Sequence, residues 1–206
     1  MKRTKPGTSF ESDLWDEGFL HIAGLDEAGR GALAGPVSVG AVILPNDKSL
    51  LSSTMGGIRD SKQLTPRKRE ALVKPIMDTA IAWAVGYATP LEIDMQGIVR
   101  ATRLAALRAL HQFAITPQYL LTDFRLELPH IDIPQESIIK GDARCLSIAC
   151  ASILAKTERD ALMRELDSQY PGYGLGQHKG YGTQAHRSAL KRLGPSDIHR
   201  KTFHVK

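Results

Sequence analysis

Two strand-like runs stand either side of a glycine-rich interruption, and that arrangement limits the folds open to this chain. "LHIAGLD" reads as a first strand. "PVSVGAVILP" reads as a second, bounded by Pro36 and Pro45. Between them Gly29, Gly31 and Gly35 give flexible backbone, and Pro36 follows at once, so no ordinary helix starts there. Strands that succeed one another without a crossover helix exclude a chain made only of regular strand–helix–strand alternation.

Further along, "AIAWAVGYAT" sets Ala82, Ala84 and Gly86 against Trp83, Val85 and Tyr87, a third strand with both aromatics expected in the core. "QYLLTD" is a fourth strand and "ESIIKGD" a fifth. Helical patterns lie between them. Thr65 is the expected N-cap, and Pro66 the first residue, of "TPRKREALVKPIMDTA". "PLEIDMQGIVRATRLAALRALHQF" spaces Ile98, Leu104, Leu107 and Leu110 near helical period. "ARCLSIACASILAKTERDALMRELDSQY" opens with small residues that would let one long helix press closely on a sheet. A short helix, "TQAHRSALKRLG", ends near Gly194. The class is mixed α/β. The last forty residues show no strand signal, so a helical C-terminal appendage is expected over about 170–206. Residues 1–20, beginning "MKRTKPGTSFESD", are expected to form a basic mobile tail, with 21–206 as one domain.

The start has no apolar stretch behind its basic residues, so a secretory signal is not expected. No window approaches the ~20 apolar residues of a membrane span. Of 206 residues 42% are hydrophobic, enough for a sizeable core, and the net charge of +5 suits a polyanionic partner such as nucleic acid. The two cysteines, Cys145 and Cys150, imply no disulfide framework, which fits a reducing cytoplasm.

Chemistry concentrates in "GLDEAGRGALAGPV". Gly29, Gly31 and Ala34 match a dinucleotide fingerprint, but that motif needs a following helix to hold the pyrophosphate, and a strand follows here. A tight hairpin with solvated acids explains the glycines but not Asp26 at the end of an apolar strand. A metal-dependent phosphodiesterase site is the third reading. It requires more carboxylates, since hard divalent ions take oxygen ligands. Asp123 ends "YLLTD", and Asp142 follows "IIKG", each at the C-terminal end of an apolar strand as Asp26 is. Strand alternation sends Asp26 and Glu27 to opposite faces. Sharing one site would require a turn between them or the use of the Glu27 carbonyl.

The motifs "GLDEAGRGALAGPV", "DSKQLTPRKRE", "EIDMQGI", "LLTDF", "IIKGDARCLSIACASILAKTERD" and "YGLGQHKGYGT", in that order, resemble bacterial ribonuclease HII, the type 2 ribonuclease H, from about Ile22 to Phe203. The resemblance implies a ribonuclease H-like fold: a mixed five-stranded sheet flanked by helices. It implies an endonuclease that hydrolyses the RNA strand of RNA–DNA hybrids and incises at single ribonucleotides in duplex DNA, leaving 5′-phosphate and 3′-hydroxyl ends. Asp26, Glu27, Asp123 and Asp142 match the acidic quartet that holds Mg²⁺ or Mn²⁺. Gly29-Arg30-Gly31 matches the element that feels the 2′-hydroxyl, and Tyr181 the tyrosine that packs on the neighbouring deoxyribose. Ser61, Lys62, His178 and Lys179 lie in matching motifs and are expected at phosphates. A monomer is expected. Ala32, Gln63 and Phe124 depart from the residues most frequent at their positions. Glu158 and Asp160, on the long helix, are expected to be salt-bridging, and His199 and His204 to be ordinary surface histidines.

Overall fold

The computed structural model describes residues 5–59, 61, 64–124 and 126–203. Five strands form one sheet: β1 (Ile22–Ala28), β2 (Val37–Ile43), β3 (Ala82–Ala88), β4 (Tyr119–Asp123) and β5 (Gln135–Ile138). Their order across the sheet is β3-β2-β1-β4-β5. The first three pair antiparallel, while β4 and β5 run parallel to β1. This is the mixed five-stranded sheet that was expected.

Helix α4 (Pro90–Leu110) covers one face, where Ala101, Ala105 and Ala109 bury against Leu25, Val39 and Ala41. Thr89 closes its first turn through a reciprocal capping box with Glu92, and Gly97 (φ 81°) kinks it. Helix α6 (Leu146–Gln169) covers the other face together with α3 (Pro66–Thr79), whose N-cap is Thr65. The small-residue start of α6 does what the sequence implied. A Cβ on Gly24 or Gly40 would collide with the backbone at Ser147 and Ala151, so helix and sheet meet at contact distance only because both strands carry glycine there.

Several expectations are corrected. Residues 9–16 are not a loose tail: they form α1 (Ser9–Asp16), with Leu14 and Trp15 buried in the main core. Glu11 of that helix is buried, and its Oε1 accepts the Ser147 N–H at 2.8 Å. It thereby caps α6 from outside, where the N-cap residue Cys145 makes no side-chain capping bond. Asp142 does not end a strand. It lies four residues past Ile138, in the short helix α5 (Gly141–Arg144), and Cys145 separates α5 from α6. Trp83 is 40% exposed and not core, because α4 covers the alanine-glycine face of β3. The remaining helices are α2 (Lys48–Thr54), α7 (Leu175–His178) and α8 (Gln184–Leu193).

The C-terminal region is helical, but it is tied to the sheet domain. Tyr173, Leu175, Ala189 and Ile198 share a small core with Ala34 and Met163, and an isolated bridge joins Ala34 to His199. Among the described residues no helix is long and apolar enough to cross a membrane.

Candidate active site

Strand β1 stays in register with β2 through Ala28, but its pairing with β4 stops at Leu25. Past that point two parallel strands part and leave a notch in the sheet, the usual place for a site in such sheets. The chain does not turn between Asp26 and Glu27, since both remain paired to β2 opposite Gly40 and Val39. Both nevertheless border one cleft of about 210 Å³, along with Asp123, Ser61, Ser152, Arg69, Lys156, Tyr181 and the Gly29-Arg30-Gly31 turn. Asp142 is buried nearby without lining the cleft.

Asp26 is at the centre of this arrangement. It is 4% exposed, its Oδ1 accepts the Glu27 N–H at 2.8 Å, and the nearby Ser152 hydroxyl favours its ionised form. Ser152 in turn stands 2.9 Å from Ser61. Burial, and then the negative charges of Glu27, Asp123 and Asp142, push the Asp26 carboxyl well above the usual carboxylate range. Glu27, Asp123 and Asp142 are therefore all within electrostatic reach of Asp26. Two like charges 4 Å apart repel by about 4 kcal/mol at an effective dielectric of 20. Among the described residues no three His, Cys, Asp or Glu side chains are arranged to hold a metal ion as they stand. Asp123 is oriented by α5, whose Gly141 N–H donates to its Oδ1 at 2.7 Å.

Cations line the rest of the cleft. Arg30 lies 3.7 Å from Glu27. Arg69 donates to the Ser61 carbonyl and pairs with Asp160 at 3.3 Å, and Asp160 also holds Lys156 at 2.6 Å. Asp160 is thus salt-bridging as expected, though buried. Lys156 and Arg159 stand 5.4 and 5.6 Å from the centre of the Tyr181 ring.

The remaining candidates divide. Ser61 is at the cleft. His178 is not a phosphate contact: it is buried, with Nε2 on the Tyr173 carbonyl at 2.8 Å and Nδ1 accepting the Gly180 N–H at 3.2 Å. The Lys179 ammonium folds back onto the Gly176 carbonyl, and neither residue lines the cleft. His199 is buried, not a surface histidine. Lys62, Gln63 and His204 lie outside the described residues. Ala32, where proline is more frequent, uses its N–H to bond the Gly29 carbonyl at 3.2 Å, which a proline could not do.

Sequence reasoning missed Ser152, Lys156 and Arg69. The first two carried a readable signal. Ser152, Lys156 and Asp160 recur every four residues, which places them along one side of a helix whose beginning is otherwise apolar.

A mixed sheet of this order, notched between parallel strands and lined there with acids, defines the ribonuclease H fold class. Solved structures agree: the ribonuclease H2 of Pyrococcus horikoshii superposes with a TM-score of 0.73 at 27% identity, covering 89% of this chain and 93% of that one. The family model described as Ribonuclease HII matches residues 23–206, and the chain belongs to that family. Curated relatives named Ribonuclease HII include that of Dehalococcoides mccartyi, 52% identical over 96% of this chain and 92% of its own length. That of Desulfitobacterium hafniense is 53% identical over 94% of this chain and 72% of its own. Membership makes the chain an endonucleolytic hydrolase of the ribonuclease H type.

Proposed function

We propose that this enzyme cuts the RNA strand of RNA–DNA hybrids and also incises duplex DNA at a single embedded ribonucleotide, with Mg²⁺ or Mn²⁺ as cofactor. One observation carries the reading: Asp26, Glu27 and Asp123 share a cleft with the Gly29-Arg30-Gly31 turn and Tyr181. Acids suited to phosphodiester chemistry and elements suited to sensing a ribose thus face the same space.

The donor set fits hard divalent ions, because every candidate ligand is a carboxylate and Asp26 is crowded by like charge. Ions bound there would neutralise charge on the attacking and leaving oxygens and ease deprotonation of a water. The chain supplies the rest. Asp26, Glu27, Asp123 and Asp142 are the ligands, with Ser152 and the Gly141 N–H holding Asp26 and Asp123 in place. Arg69 and Lys156 meet the phosphate. The turn approaches the 2′-hydroxyl, the group that tells RNA from DNA at that position. Gly31 has open space where a Cβ would stand, so its backbone can come close to a sugar. The Tyr181 ring lies on the neighbouring deoxyribose, where a second 2′-hydroxyl would collide. Water attacks phosphorus in line with the departing 3′-oxygen, leaving 3′-hydroxyl and 5′-phosphate ends.

The test is a DNA duplex carrying one ribonucleotide, incubated with Mg²⁺, Mn²⁺ or EDTA. A nick beside the ribonucleotide with either ion, and none in EDTA, is expected. Cutting of plain hybrids without any such nick would contradict the single-ribonucleotide activity.

A further inference from the structure

Arg200 is 2% exposed and, among the described residues, has no ion-pair partner. Its guanidinium instead donates to three backbone carbonyls of one loop: Gly29 at 2.7 Å, Arg30 at 2.9 Å and Gly35 at 3.0 Å. Burying an unpaired cation is costly unless polar acceptors meet it, and only the arginine fork can reach three carbonyls at once. In a trans peptide the N–H points away from its carbonyl. Carbonyls of Gly29 and Arg30 turned to Arg200 therefore turn the Arg30 and Gly31 N–H groups the other way. Neither N–H has an acceptor among the described residues, and both residues line the cleft.

The residue before Arg200 reaches the second ribose-facing element. The Ser196 N–H donates to His199 Nδ1 at 3.0 Å, which leaves the His199 proton on Nε2. That Nε2 lies 3.1 Å from His186 Nε2, which must then accept. The His186 proton is thereby placed on Nδ1, 3.0 Å from the Tyr181 carbonyl. Each bond in this chain fixes the direction of the next, and it ends on the tyrosine. The segment itself is pinned to α4, since Asp94 accepts the N–H groups of Lys201 and Thr202, each at 2.9 Å.

We propose that the C-terminal segment Ser196–Thr202 is a brace that sets the enzyme's selectivity for a DNA–RNA junction. Arg200 positions the Gly29-Arg30-Gly31 turn, and the His199–His186 pair positions Tyr181. All three are positioning residues, and none touches substrate. The proposal rests on the reading of the turn and Tyr181 as ribose-facing.

The test compares Arg200→Lys, His199→Ala and His199→Gln with the parent chain. Two quantities are measured: the ratio of single-ribonucleotide incision to plain-hybrid cleavage, and hydrogen exchange of the peptide spanning 28–36. A lysine reaches one carbonyl where arginine holds three. Arg200→Lys is expected to lower the ratio about tenfold, with hybrid cleavage within about threefold, and to speed exchange in 28–36 about tenfold. His199→Ala is expected to lower the ratio about threefold, and His199→Gln, whose amide can still donate to His186, to restore it. Should Arg200→Lys fail to fold, Asp94→Asn loosens the same segment and is expected to shift both readouts in the same direction. Parallel loss on both substrates, or unchanged exchange in 28–36, would overturn the brace. A parent chain that fails to incise at a single ribonucleotide would sink the functional reading instead, and the exchange result would still decide whether the segment holds the turn.

Discussion

At one wall of the cleft Asp26 is surrounded by Glu27, Asp123 and Asp142, and its carboxyl is driven upward in pKa. The other wall is the Gly29-Arg30-Gly31 turn with Tyr181, and behind it Arg159 and Arg200, both buried, engage the carbonyls of Ala34, Pro36, Lys179, Gly29, Arg30 and Gly35. On the acidic wall burial and neighbouring carboxylates both disfavour the ionised form of Asp26. Behind the second wall each arginine holds three backbone carbonyls, and the His199–His186 pair links the C-terminal segment to the Tyr181 carbonyl. The difference shows which part of the molecule is built to receive something and which is built to hold a shape. A cluster of like charges is stable only with cations or protons. A satisfied polar network is rigid, and a rigid turn can discriminate one hydroxyl.

Removing one acid tests the first wall. Asp123→Asn keeps the size of the side chain and an oxygen to accept the Gly141 N–H, but removes a charge. Cleavage with Mn²⁺ is expected to fall on the order of a thousandfold, while hybrid binding in EDTA holds or improves. Retention of near-parental cleavage would take Asp123 out of the site and weaken the contrast between the walls.

Acid titration tests the second wall. Burial, with the nearby His178 and His199, pulls the His186 pKa down to about 4. A group held neutral in the fold with a depressed pKa contributes stability above its unfolded pKa near 6.5, and loses it as pH falls toward 4. Melting followed by circular dichroism should therefore drop by about 5 °C more between pH 7 and 5 in the parent than in His186→Gln. Equal drops would show that the histidine chain is not held as described.

Much of this was legible beforehand. The strands β1 to β4 could be read because their apolar residues alternate between glycine and proline boundaries, and α3 because Thr65 and Pro66 mark its start. The three acids at the notch could be read because each follows or ends an apolar run. Other features depend on long-range contacts that no local pattern carries. Helix α1 is short, and only its burial against α6 shows what Glu11 is for. His178 looked like a surface group beside Lys179, yet its ring stacks 4.3 Å from His186. Arg200, in a run of polar residues, gives no sequence hint that its side chain turns inward to a loop 165 or more residues away.

If the acidic wall takes a divalent cation, the like charge crowding Asp26 is relieved only when the ion binds. Thermal melting of the parent and Asp26→Asn, each in EDTA and in Mn²⁺, tests it directly. Asp26 has a raised pKa, so its ionised form destabilises the fold at neutral pH and its neutral replacement should not. In EDTA, Asp26→Asn is predicted to melt about 3 °C higher than the parent. In Mn²⁺ the order is predicted to reverse, because only the parent gains from binding the ion. A parent that melts above Asp26→Asn in EDTA, or that gains nothing from Mn²⁺, would mean that Asp26 is not part of a divalent-cation site.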